Sequence, residues 1–425
     1  LLSLAGEKGQ TDGMQEEPKT TPPATPVVAG GAGPAARPVR LMALDAYRGF
    51  VMFLMMAEVL ELGQVARAKP DSGWWHFLAH HQSHVAWVGC SLHDMIQPSF
   101  SFLVGVALPF SLANRLARGQ SRVQLSLHAF WRALVLILLG VFLRSIGAAQ
   151  TYWTFEDTLT QIGLGYGFLF LLAQTSVRTQ WTAFWCILFG YWLAFALYPL
   201  PGPGFDPSAV GASADGPGWF QGFAAHWNKN SNLAWAADTH LMNWFPREKP
   251  FVFNDGGYST LSFIPTLGTM LLGVIVGGIL RDSRSPWRKV RWLVAGGVIG
   301  LAVGLLLGQL GICPVVKRIW TPSWVLFSGG WCLLLTAFFY VVMEITGRKR
   351  WAFPLVVIGM NSIAAYCMAH LAGDFIAGSL ITHLGERAFQ IFGPAYESLL
   401  HGGAVLLVFW LILFWLHRQK IYIRI

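Results

Sequence analysis

From Leu41 onward the chain is a succession of long apolar runs separated by short polar breaks. About 20 helical residues suffice to cross a hydrocarbon core. Runs of that order lie over roughly 43–64, 94–114, 130–148, 158–176, 181–199, 261–280, 292–310, 323–345, 353–371 and 398–416. The pattern predicts an all-α fold, a polytopic membrane helix bundle of about ten transmembrane helices. Ten is an even number, so both termini fall on one side. Residues 372–396 are interrupted by Gly and Pro and read as a re-entrant or interfacial helix. Residues 1–40, rich in Pro, Gly, Ala and Thr and without apolar period, read as a disordered cytosolic tail or leader ahead of a membrane domain over 41–425.

Composition supports the same picture. The chain is 54% hydrophobic and 12% charged, with a mean hydropathy of +0.49. Soluble domains carry roughly 25% charged residues, so this chain has too few to coat a water-facing surface. That argues against an ordinary cytosolic enzyme, a disordered scaffold or a nucleic-acid reader. The five cysteines, Cys90, Cys186, Cys313, Cys332 and Cys367, stand singly in apolar stretches and read as small core hydrophobes, not as a disulfide framework or a zinc cage.

The formal charge of +9 is explained by where Lys and Arg fall. With the N-terminus inside, the cytosolic loops hold roughly twice as many as the outer ones, among them Arg115, Arg118, Arg122, Arg284, Arg288 and Lys289. This orientation leaves two long segments outside. Residues 65–93 carry Trp74, Trp75, Trp87 and His76, His80, His81, His84 and His93; residues 200–260 are rich in Pro, Gly, Trp, Asn and Asp. Loops of this length and aromatic content form a lid or a sugar-stacking surface more often than a bare connector, although packing over the helix ends is the plainer alternative.

Ionisable groups inside spans are costly and become functional candidates by default. Asp45 and Arg48, three residues apart at the mouth of the first span, share a helix face. They form either a structural ion pair or a phosphate contact. Glu58 sits near the outer end of the same span. The densest patch is His84–Phe100, where His84 is followed ten residues later by Asp94. A carboxylate so placed can fix the tautomer and orientation of an imidazole. His76, His80 and His84 also have the i,i+4 spacing of metal ligands. From pattern alone, catalysis, metal binding and packing all remain open for them.

Five blocks carry a resemblance. Leu44-Asp45-Ala46-Tyr47-Arg48-Gly49 opens the first span. His84-x2-Trp87-x-Gly89-x4-Asp94-x3-Pro98-x-Phe100 runs on through Phe102, Gly105 and Ser111. Asn232-Leu233-Ala234 with Asp238 precedes Pro265-x7-Gly273-x3-Gly277. Lys317-Arg318-Ile319-Trp320-Thr321-Pro322-Ser323-Trp324 and Gly359-Met360-Asn361-Ser362-Ile363 with Tyr366 follow. In this order, over about 41–371, they resemble the signatures of the heparan-α-glucosaminide N-acetyltransferase family of transmembrane acetyltransferases. The resemblance implies a bundle of about ten or eleven helices that passes acetyl from cytosolic acetyl-CoA (CoA) to a terminal glucosamine across the membrane.

Carried over by position, the resemblance puts the catalytic histidine on His84 and its carboxylate on Asp94. By charge and place in the chain, Arg48, with Asp45, Asn361 and Ser111, is expected on the acetyl-CoA side. On the outer side, and not by carry-over from the family, Glu58, Asp238, His240 and Trp87 are expected to meet an amino-sugar acceptor. Three positions depart from the family pattern: Leu159-Thr160-Gln161-Ile162 lacks its arginine, Asp238-Thr239-His240 replaces an Asp-Arg pair, and Glu58-Val59 stands near a family asparagine. All lie toward the outer half, so they bear on the acceptor and not on the acyl-donor half.

The function expected is therefore a membrane acyltransferase with His84 as base or acetyl carrier. It needs no metal, its partners are acetyl-CoA, an amino sugar and the bilayer, without nucleic acid, and a homo-oligomer is compatible with such a bundle. The layout points to a bacterial inner membrane with His84 toward the periplasm. A transporter or flippase without acyl chemistry is the alternative; it would favour repeated halves with matching broken helices, and the Gly and Pro interruptions are not symmetric. A lipid-linked glycosyltransferase would need an acidic pair in the first outer loop, which has only Asp71.

Overall fold

A computed structural model describes residues 41–423, and the expected tail over 1–40 lies outside the described residues. Fourteen α-helices are found among the described residues. They are α1 (Met42–Met56), α2 (Leu62–Ala68), α3 (Gly73–His81), α4 (Ile96–Ala117), α5 (Arg122–Arg144), α6 (Thr158–Ala173) and α7 (Val177–Leu197). Then come α8 (Leu233–Leu241), α9 (Phe263–Arg281), α10 (Pro286–Gln309), α11 (Pro322–Tyr340), α12 (Phe353–Met360), α13 (Ser362–Leu384) and α14 (Glu397–Arg418). No strand forms among the described residues; a single antiparallel bridge joins Val88 to Val316.

Eight helices are long and apolar enough to cross a membrane, and the bent pair Met42–Leu60 and Leu62–Ala68 raises the number to nine if it counts as one span. The chain is an integral membrane protein with a polytopic helical bundle, as its hydropathy predicts. Two details differ from expectation. The expected span over 158–176 is a 16-residue helix, which at 1.5 Å per residue falls short of a hydrocarbon core of about 30 Å. Residues 372–396 do not form a re-entrant helix on their own. Their first half continues α13, a 23-residue helix with Gly373 and Gly378 in its interior. Neither glycine ends the helix, and the break falls instead at Asn361, between α12 and α13.

Pro98 sits in the first turn of α4, where its missing N–H costs nothing. The motif glycines are contact points. A Cβ on Gly359 would stand 1.9 Å from the Asp45 carbonyl oxygen, and one on Gly49 1.7 Å from that of Leu355. Only glycine lets α1 and α12 approach so closely. Gly105 and Gly273 do the same where α4 crosses α9. The core cluster joins α1, α4, α9 and α11 through Tyr47, Phe102, Met270 and Trp324, while α5, α7, α10 and α13 leave most of their surface outward.

The two long connections are built, not loose. Trp87 is fully buried and its Nε1–H donates to the Trp227 carbonyl at 3.2 Å, which locks the first connection onto the second. Asn232 caps α8, accepting from the Ala234 and Trp235 N–H groups.

Candidate active site

Three separate stretches meet at one end of the bundle. The Val88–Val316 bridge, with the Gly89 N–H donating to the Val315 carbonyl at 3.1 Å, brings the stretch after His84 alongside the turn that precedes α11. That turn is held by an unusual backbone. Trp320 is buried with φ +50, a left-handed conformation that costs a bulky residue of order 1–3 kcal/mol. Thr321 fixes the turn from the other side, capping α11 and accepting from the Val316 N–H at 3.0 Å. The result aims Lys317 and Arg318 back toward His84.

Asp94 lies at the entry to α4, where the helix dipole favours a negative charge. It is 1% exposed and all its acceptor capacity is used. One oxygen, Oδ1, accepts from His84 Nδ1–H at 2.8 Å and from Lys317 Nζ at 3.2 Å. The other, Oδ2, accepts from the Val85 N–H at 3.2 Å, the Ser91 N–H at 3.1 Å and the Ser91 hydroxyl at 3.0 Å. A carboxylate bound this way is ionised and immobile, and it holds the His84 ring in the tautomer with the proton on Nδ1. Nε2 is then the nitrogen able to take a proton or attack a carbonyl.

His84 keeps 40% of its side chain accessible and lines a cavity of about 440 Å³, within the range of about 300–1,000 Å³ typical of small-molecule sites. Burial is the largest influence on its pKa and lowers it; the Asp94 hydrogen bond opposes this, and the Lys317 and Arg318 charges add to the lowering. The imidazole is thus neutral at neutral pH. His93 stacks beside it, ring centroids 4.5 Å apart, and its Nε2 lies 3.2 Å from Glu58 Oε1. The other walls come from Tyr258, Arg144, Glu156 and Tyr366.

Of the residues expected in a site, the structure brings together His84, Asp94 and Glu58. Trp87 stands next to them in the chain but is sealed inside the connection, with no face on the cavity. Asp238 is buried nearby in a separate hollow, accepting from the Thr260 N–H at 2.8 Å while its Oδ1 has no partner. Burial raises its pKa, against the Thr260 hydrogen bond, to about 6. His240 is exposed at the end of α8.

The four residues assigned to the acetyl-CoA side do not line this cavity. Arg48 pairs with Asp45 at 3.5 Å. Asn361 is fully buried, its Nδ2 donating to the Ile421 carbonyl and its Oδ1 accepting from the Ile423 N–H, both at 3.0 Å. Ser111 is exposed on α4. The histidine spacing that looked like a metal site does not survive folding. The helix α3 ends at His81, His76 bonds to the Pro70 carbonyl and His81 accepts from the Leu92 N–H. Among the described residues no group of three or more His, Cys, Asp or Glu is arranged to hold a metal.

Lys317, His93 and Tyr258 were given no place in the expected site, although Lys317 opens one of the five blocks and His93 closes the first long connection. A further signal for Lys317 was the basic pair Lys317-Arg318 in a connection expected on the outer face, where positive charge is disfavoured.

No family model matches the chain. Two curated proteins do. Over 409 residues it is 23% identical to the Homo sapiens protein "Heparan-alpha-glucosaminide N-acetyltransferase", covering 86% of this chain and 58% of that protein. Over 366 residues it is 22% identical to the Mus musculus protein of the same name, covering 77% and 53%. The chain therefore spans little more than half the length of these relatives. Along most of its own length, then, the chain is similar to heparan-α-glucosaminide N-acetyltransferases.

Proposed function

We propose that the protein is a membrane acyltransferase that moves acetyl from acetyl-CoA to the amine of an amino sugar, with His84 as the reacting base. The observation that carries this reading is the 2.8 Å His84–Asp94 hydrogen bond at the wall of the cavity. Acetyl-CoA is already activated, so the protein must place the thioester, deprotonate the amine and stabilise the oxyanion. The amine nitrogen attacks the acetyl carbon as its proton passes to His84 Nε2. The carbon–sulfur bond then breaks, and the thiolate of CoA takes that proton. Asp94, bonded to Nδ1, holds the ring in place while Nε2 carries the proton in between. Attack by Nε2 itself, giving an acetyl-imidazole that the amine then cleaves, uses the same geometry.

The cavity accepts an acetyl group and a sugar ring. Glu58, half-exposed beside His93, offers a carboxylate to the incoming amine. The nucleotide of CoA belongs at the other end of α1, near Arg48. By the distribution of Lys and Arg, that end faces the cytosol with both termini, and His84 faces the opposite side. In a bacterial host this would be the periplasmic face of the inner membrane.

The test is transfer of labelled acetyl to glucosamine by the purified protein in detergent or vesicles. Replacing His84 by Ala should lower transfer about 10²–10⁴-fold with the unfolding midpoint unchanged. Wild-type rates in that variant would end the role assigned to His84.

A further inference from the structure

Lys317 is the most deeply buried cation beside the site, 4% exposed, and its Nζ lies 3.2 Å from both Asp94 Oδ1 and His84 Nδ1. We propose that Lys317 is a positioning residue for His84: a fixed positive charge that shares Asp94 with the imidazole and keeps the ring in its neutral, proton-accepting form. The proposal rests on the reading of His84 as the base, and goes beyond it by assigning what sets that base's charge.

Two observations support a built device over incidental packing. The turn carrying Lys317 is held by the left-handed Trp320 and by Thr321, so the ammonium is delivered to one place. Its partner Arg318 is engaged elsewhere, donating to the Val85 carbonyl at 3.1 Å and the Gly256 carbonyl at 2.5 Å and stacking over Tyr258. Burial lowers the pKa of Lys317, and the Asp94 carboxylate opposes this; that ion pair holds the proton on the ammonium. The charge then matters as follows. Asp94 alone would draw a proton onto His84, as a carboxylate does for any imidazole it touches. With Lys317 bonded to the same oxygen, the carboxylate is already neutralised, and a protonated imidazole would bring two cations to one anion. The ring therefore stays free to accept a proton.

Every charged or titratable group against His84 has to be included. Asp94 and His93 come from the entry to α4, Glu58 from the end of α1, Tyr258 from the connection before α9, and Lys317 and Arg318 from the turn before α11. Of these, Lys317 is the cation that reaches both His84 and its carboxylate.

The experiment titrates His84 itself, so it does not depend on turnover. Diethyl pyrocarbonate acylates neutral imidazole, and peptide mass spectrometry reads the fraction modified at His84 against pH. In Lys317→Met the midpoint should move up by about one pH unit or more, and Lys317→Arg, which retains the charge, should return it toward wild type. Lys317→Gln, which keeps a donor toward Asp94, should shift in the same direction as Met and serves if the Met variant does not yield a folded protein. An unmoved midpoint in the neutral variants overturns the proposal. The acid limb of acetyl transfer should move with the midpoint. A shifted midpoint without any acetyl transfer in the wild type would leave the charge-setting role standing and sink the acyltransferase reading instead.

Discussion

The two ends of the first helix invite comparison. At one end Glu58 and His93 line a cavity with His84, and the buried charges of Asp94 and Lys317 are arranged around one imidazole that remains accessible. Toward the other end Asp45, Arg48 and Asn361 stand equally prominent in the sequence, yet the structure uses them largely for assembly. Asp45 and Arg48 bond to each other, and Asn361 pins the backbone of Ile421 and Ile423. The glycines beside them, Gly49 and Gly359, let α1 and α12 touch. Whether a motif residue serves chemistry or close packing depends on which side chain is left facing open space.

The sharpest test of this contrast is Asp94→Asn. At the cavity end it should cost transfer about 10³–10⁴-fold, beyond what an ordinary structural substitution would do, because the amide no longer fixes the reactive tautomer. It should also destabilise the fold by about 3 kcal/mol, since Lys317 is left as a buried charge without its partner. Transfer assays and a denaturation curve on the same preparation read both. Next in size is Gly359→Val at the packing end. The new side chain must push α1 away, and the expected result is a loss of about 3 kcal/mol in thermal or denaturant unfolding, with kcat of the surviving folded fraction near wild type.

Arg48→Ala decides whether the inner end also binds the donor. If its guanidinium meets a phosphate of acetyl-CoA, KM for acetyl-CoA should rise about tenfold with little change in kcat. An unaltered KM would assign Arg48 to assembly alone. The smallest effect concerns Asp238. Its pKa rises from 3.8 to about 6 on folding, so at pH above 6 the folded protein carries a buried carboxylate that costs stability. As pH falls from 6 toward 4, the folded state takes up a proton that the unfolded chain does not, and this cost disappears. Asp238→Asn should therefore raise stability by about 1–2 kcal/mol at pH 7.5, and the advantage should vanish near pH 4. Melting midpoints of both proteins across that range provide the check.

Much of the fold was legible because hydropathy is a local property. Runs of apolar residues identify spanning helices without reference to what they touch, and the all-α bundle follows. The errors came where length or context decides: the short α6, and the continuation of α13 through Gly373 and Gly378, since an interior glycine weakens a helix by about 1 kcal/mol without ending it. The His84–Asp94 pair was legible as well, from a histidine and a carboxylate ten residues apart at the start of a span. The histidine cluster was not: α3 stops at His81, so His80 and His84 do not share a helix face, and His76 turns to the Pro70 carbonyl.

By itself the sequence determined that this chain lives in a bilayer and that His84 has a carboxylate within reach. Only tertiary structure decided that Lys317, more than 200 residues downstream, completes that pair, that Trp87 is a fastener, and that Asn361 holds the chain's own backbone. The physical reason is that burial, charge pairing and an open cavity are properties of groups brought together from distant segments. A lysine becomes part of a site only when a strained turn and a single backbone bridge deliver it to one carboxylate oxygen.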